Sequence, residues 1–283
     1  MKARSPSNFI AMISFFLLNY RRSRAFIFLE IFFIVISAMM SLISILFLKQ
    51  LINDFVPNGL KISHYPINLV KSIYNFSWGN IAIYLPILAS SFFAANAISS
   101  DIEEKNIYTM LSFPISKEGY LFSKLFSSFA SAMALILTYC IFQFVTFLVI
   151  FKTFPGYSFI EYILLLTMSV FTDCTVAMLF STLFVKNNSS PLAFLTIFLI
   201  ISNLISLVST SSSIVPPSLI ITNAQREIFL IFLNVSPYFL VYSGALSPLP
   251  LQNQLQLVYI QFIYLSIFLL LLYLSFARRG AVK

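Results

Sequence analysis

Six stretches of this chain, at about residues 25–48, 80–99, 125–151, 162–185, 191–208 and 255–276, each gather enough apolar side chains to cross a bilayer. A helix needs roughly 20 such residues to span the hydrocarbon. Lipid offers no partner to a backbone N–H or C=O, so a segment this long must satisfy its own backbone as a helix. The whole composition agrees. The chain is 59% hydrophobic and 9% charged, whereas a soluble domain carries about 25% charged residues. One soluble core has no way to hide that much apolar surface. The expected fold is therefore an all-α integral membrane protein with six transmembrane helices. The opening residues lack the small-residue cleavage site of a removable signal.

Lysine and arginine placement sets the expected orientation. With the N-terminus in the cytoplasm, the inside holds Lys2, Arg4, Arg21, Arg22 and Arg24 before the first span. Lys105, Lys117, Lys124 and Lys186 lie in the internal loops, with Arg278, Arg279 and Lys283 at the end. The outside holds only Lys49, Lys61, Lys71, Lys152 and Arg226. Twelve against five is a positive-inside bias. It predicts a multi-pass protein of the cell membrane with both termini cytoplasmic. Residues 49–79 and 209–254 become external loops. Trp78 and the tyrosines of the first suit the headgroup level. In the second, an apolar run at 228–246 is broken by Asn234, Ser236 and Pro237, which suggests a re-entrant or interfacial hairpin rather than a seventh span. Ahead of the first span, residues 7–20 place Phe9, Ile13, Phe16, Leu17 and Tyr20 on one helical face, as in a helix lying in the interface plane.

The most polar run of the chain is residues 99–124. Four of its nine acidic residues sit there, Asp101, Glu103, Glu104 and Glu118. Acids come first, then Ile102, Ile107, Met110 and Leu111, then Pro114. Ser116 follows as a helix N-cap, with Glu118 in the first turn where the helix dipole favours negative charge. The pattern predicts a short amphipathic helix over 101–113, a proline break, and the start of the third span.

This stretch resembles the loop between the second and third spans in permeases of the second exporter class of ABC transporters. Asp101 and Glu103 match the acids; Leu111, Pro114, Ile115, Ser116 and Lys117 match the middle; Lys124 matches the closing lysine. Lys105-Asn106 stand where Gly-Thr is usual, and Ser123 replaces a glycine. The resemblance implies that 101–113 is a coupling helix, with Asp101, Glu103, Glu104, Ile107, Met110, Leu111 and Pro114 facing a separate ABC ATP-binding subunit. It implies that 7–20 is an elbow helix and that 228–246 are short external helices. It also implies a dimeric membrane domain, the second permease being a copy or a paralogue. ATP and its magnesium ion would be bound by the partner subunit and no cofactor by this chain. The remaining surface would meet membrane lipid and no nucleic acid.

Polar residues inside the apolar segments are the other candidates. Asp173 lies near the middle of the fourth span between Thr172 and Cys174. A charged carboxylate at that depth costs about 2.5–3.5 kcal/mol on insertion scales. Intramembrane acids mark pathways, seams or hydrogen-bonded braces, and both a conduit role and a bracing role stand open. Glu30 is one turn inside the first span, within snorkelling reach of the interface and of Arg24. Gln143 and Asn203 suit interhelical hydrogen bonds, each worth about 1 kcal/mol. Asn75 and Asn234 occupy Asn-x-Ser sequons on the expected outside, as candidate glycosylation sites. Cys140 and Cys174 fall in apolar segments as packing residues.

The sequence contains no GxxxxGK[ST] phosphate loop, no GxSxG and no HExxH. The expected function is that of a non-enzymatic permease subunit of an ATP-driven exporter, forming the translocation path. Two rivals remain at this level: a secondary carrier or membrane-embedded enzyme using Asp173, and a non-transporting membrane scaffold.

Overall fold

The computed structural model describes residues 6–48, 67–104, 116–184, 189–201 and 251–279, with the single positions 50, 106, 186, 204 and 225. Among the described residues the chain is all helix and turn. Helix α1 is Pro6–Arg22, α2 Arg24–Leu46, α3 Ile67–Ala82, α4 Tyr84–Phe93, α5 Ser99–Glu103, α6 Lys117–Phe151, α7 Tyr157–Leu183, α8 Ser189–Leu195 and α9 Leu251–Arg279. The last turns after α8 continue as a π-helix over Thr196–Ile201.

Among the described residues, five helical stretches are long and apolar enough to cross a membrane: Arg24–Leu46, Val70–Phe93, Lys117–Phe151, Tyr157–Leu183 and Val258–Arg278. The stretch Ser189–Ile201 is apolar but shorter. The second crossing begins earlier than expected. Ile67–Ala82 lies largely within the stretch assigned from sequence to an external loop, yet it is helical, and it runs almost directly into α4. Pro86 explains the single non-helical residue, Ile83, between them. Its ring clashes with the carbonyl four residues back, Ala82, where α3 stops, and it is tolerated in the first turn of α4.

The long α6 is the centre of the bundle and packs against α1, α2, α3, α4, α7 and α9. At 35 residues it is about 52 Å long, well beyond the roughly 30 Å of hydrocarbon. Ser116 caps it, accepting from Gly119 N at 3.0 Å, with Glu118 in the first turn. At the far end Lys152 takes a left-handed conformation and Gly156 has φ 91°. The glycine supplies a backbone that side chains resist, and α7 starts immediately after it.

Burial divides the helices into an inner and an outer set. In α2 a stripe of Phe26, Leu29, Phe33, Ser37, Met40 and Ser44 is buried, at the 3–4 spacing of one helical face. The other faces, carrying Ile27, Phe28, Ile31, Val35 and Leu42, are exposed. The inner set is aromatic and polar together. Tyr74, Trp78, Tyr139, Phe147 and Phe151 form a packed ring cluster. Trp78 is fully buried, not at a headgroup surface. Its indole N–H donates to Ser44 Oγ at 3.0 Å, and its carbonyl accepts from Tyr139 at 2.8 Å. A tryptophan whose indole donor is met internally has no need of water.

Candidate functional site

Between α4 and α5 the helix ladder is interrupted over residues 94–98. No proline or glycine lies in this Ala-Ala-Asn-Ala-Ile run. Side chains from three other helices enter the ladder instead, one of the recognised causes of a kink. Tyr20 of α1 and Ser128 of α6 both donate to Phe93 O, at 3.2 and 3.1 Å. Lys124 of α6 donates to Ala97 O at 2.6 Å. Ser181, near the end of α7, accepts from Ile98 N and Ser99 N at 2.8 Å each. Backbone groups released by the break are thus met by side chains, as a buried non-helical segment requires.

The same Lys124 holds the start of the polar loop. Its ammonium lies 2.5 Å from Asp101 Oδ2, and the Tyr120 hydroxyl donates to that same oxygen. Phe16 of α1 and Tyr120 place their ring faces 4.9 and 5.6 Å from the ammonium, so both rings add attraction to the cation. Lys124 is 6% exposed. One buried side chain therefore touches α1, the broken helix, α5 through Asp101, and its own α6. Beside it, the half-buried Tyr20 has its hydroxyl raised well above the usual phenol range by desolvation. The contacts Ser181–Ser99, Thr182–Ser275 and Tyr120–Phe276 bring the ends of α7 and α9 to the same end of the bundle.

The apolar face of α1 packs here. Phe16 is buried, while Ile13, Leu17 and Tyr20 are half-buried. They meet α6 through the Phe16–Tyr120 ring pair and the Ser127 hydroxyl on Ile13 O.

Of the loop residues singled out from sequence, Asp101 belongs to this joint. Glu103 and Glu104 are exposed, and Asn106 donates to Glu104 at 2.7 Å. Helix is described from Ser99 to Glu103. Ile107, Met110, Leu111 and Pro114 lie outside the described residues, as do Asn203, Asn234 and the run 228–246. The sequence pattern matches Lys124 to a family position without pairing it to Asp101, and it misses Tyr20, Tyr120, Ser128 and Ser181 as members of a site. The available signal is a lysine seven residues inside α6, where a charge needs a partner.

The intramembrane candidates are placed elsewhere. Gln143 donates to Asn75 Oδ1 at 3.3 Å, between α6 and α3. That contact corrects the sequon reading of Asn75. The residue is 3% exposed in a helix of the bundle core, with no open side for a glycan. Glu30 is half-buried on α2, and among the described residues no ion pair joins it to Arg24. Asp173 is fully buried on α7, and Gln225 donates to its Oδ1 at 2.7 Å. One turn away on the same face, Ser169 Oγ accepts from Gln261 of α9 at 3.2 Å. The charge pattern puts Gln225 in an external loop, yet it is buried against the middle of α7. Cys140 and Cys174 are buried free thiols.

The described residues thus form an all-helical bundle with several apolar crossings and a buried ion pair where a polar loop begins. No curated protein matches the chain. The family profile described as ABC-2 family transporter protein matches residues 17–281, nearly its full length. The chain belongs to the ABC-2 transporter family and is a multi-pass membrane permease of the type-2 ABC class.

Proposed function

We propose that this permease is the membrane subunit of an ATP-driven exporter, coupled through residues 101–113 to a separate ABC ATP-binding subunit. The observation that carries the reading is the Asp101–Lys124 joint. It fastens Asp101, where the polar loop begins, to α1, to the break after α4 and to α6 at once, so a push that reaches Asp101 is passed to all three. ATP and magnesium belong to the partner, and this chain contributes no catalytic group. A second permease, identical or paralogous, completes the translocation path.

The loop needs a partner for a physical reason. Ile107, Met110 and Leu111 cannot all enter lipid while Asp101, Glu103 and Glu104 remain wet. An amphipathic helix of this kind docks in a groove, with apolar anchors supplying most of the affinity and rim charges the orientation. Met110→Asp combined with Leu111→Asp should abolish recovery of the ATPase in a pull-down matched for membrane abundance. Undiminished recovery would reduce 101–113 to a solvated loop and remove this function.

Six crossings with both termini in the cytoplasm accompany this proposal, the sixth contributed by the apolar stretch that begins at Ser189. The twelve-to-five distribution of basic residues supports it. Single cysteines at Ser116 and Ser63, in a chain lacking Cys140 and Cys174, should react with impermeant reagents from opposite sides. Reaction of both from one side would overturn the topology.

A further inference from the structure

Asp173 stands sixteen residues after the start of α7 and ten before its end, or about 24 and 15 Å along the helix axis. Hydrogen bonding at that depth does not close for an ionised carboxylate. Gln225 gives one amide hydrogen to Asp173 Oδ1 at 2.7 Å. The other oxygen of the acid, Oδ2, and the other polar atom of the amide, Oε1, are both buried without a hydrogen-bond partner. Both atoms are acceptors when the acid is ionised, and buried acceptors without donors are expensive in a low dielectric.

Among the described residues, no neighbouring group fills the gap. Thr172 and Thr175 donate to Met168 O and Phe171 O in their own helix, at 2.9 and 2.8 Å. The Lys124–Asp101 pair lies at the end of the bundle, and among the described residues no lysine or arginine pairs with Asp173. One proton removes both deficits together. A carboxylic acid carries a donor on one oxygen and an acceptor on the other, and a primary amide carries the complementary pair. With one N–H already on Oδ1, an O–H on Oδ2 would be the donor that the remaining amide oxygen lacks.

We infer that Asp173 works as an un-ionised acid, joined to Gln225 by two hydrogen bonds in a closed acid–amide ring that ties Gln225 to the middle of α7. The proton on Oδ2 is donated to Gln225 Oε1, and the amide N–H to Asp173 Oδ1. Asp173 is then a positioning residue. It carries no fixed negative charge in the fourth span and offers no vacant oxygen to a cation or a proton relay. The ring is independent of whether residues 101–113 bind an ATPase, and its test reads the purified permease alone.

The test compares full-length permease in lipid nanodiscs by thermal unfolding and by infrared spectroscopy. Asp173→Asn keeps a two-point ring, now amide to amide, so its unfolding midpoint should match the parent. Asp173→Leu and Gln225→Leu each strand a buried polar partner and should lower the midpoint by several degrees. The double variant Asp173→Leu with Gln225→Leu strands neither and should regain most of the loss. The parent should show an un-ionised carboxyl carbonyl band that Asp173→Asn lacks. An Asp173→Asn midpoint as low as that of Asp173→Leu would overturn the ring. So would a carboxylate band at Asp173, or an equal band in both proteins. If the leucine variants fail to fold, the infrared difference between the parent and Asp173→Asn decides by itself.

Discussion

Asp101 and Asp173 are both acids withdrawn from water, and the molecule compensates them by opposite means. Asp101, at the end of the bundle, meets an ammonium and a phenol on one oxygen. Asp173, at mid-helix, meets a single amide. Position explains the contrast. Near the water interface a charge pair still gains from the surrounding solvent and rings, so two ions are sustainable there. At the centre of a span the penalty for an ion is largest, and a neutral hydrogen-bonding partner is the cheaper solution. Depth, not residue type, decides what an aspartate does in this protein.

The contrast breaks most sharply at the outer acid. Lys124→Met removes the cation beside Asp101 and leaves Ala97 O without its donor. Stranding one partner of a buried pair costs about 3–5 kcal/mol. Thermal unfolding in nanodiscs should show a larger drop than any single substitution at Asp173, Ser181 or Gln225, with partial recovery when Asp101→Asn is added. No drop would place the pair among inconsequential surface contacts.

A smaller effect is expected from the break itself. Ser181→Ala leaves the N–H groups of Ile98 and Ser99 buried without their acceptor, a loss of about 1–3 kcal/mol. Hydrogen exchange should speed up at those two amides while the centre of α6 stays protected. Uniform exchange across α6 would mean that Ser181 supports the whole bundle and not the break. The smallest effect sharpens the inner half of the comparison: Asp173→Asn should leave the unfolding midpoint unchanged, where Asp101→Asn alone should lower it.

Much of this architecture was legible in the sequence. The apolar runs that became α2, α6, α7 and α9 stand out because they need nothing from their neighbours to be helical in lipid. The beginning of the second crossing did not stand out, for the opposite reason. Asn75 and Trp78 look like loop residues until their partners are known. Ser44, Tyr139 and Gln143 come from helices 30 to 70 residues away in the chain, on the order of a span or more. The same distance concealed the candidate site. Both charges of Asp101–Lys124 were visible, but pairing across a connecting loop is a property of the fold. Gln225 carried no signal at all, since a glutamine in a polar loop is the expected case.

The placement of Lys124 along α6 has a mechanical reading. The residue that pins α6 to the broken helix is seven residues from Lys117 and twenty-seven from Phe151, arms of about 10 and 40 Å. About this contact α6 has a short arm on the side of the polar loop and a long arm on the far side. Tilting α6 about that point by an amount that displaces Lys117 by about 1 Å displaces Phe151 by about 4 Å, from the same rise per residue. The aromatic cluster of Tyr74, Phe147 and Phe151 sits at the tip of the long arm.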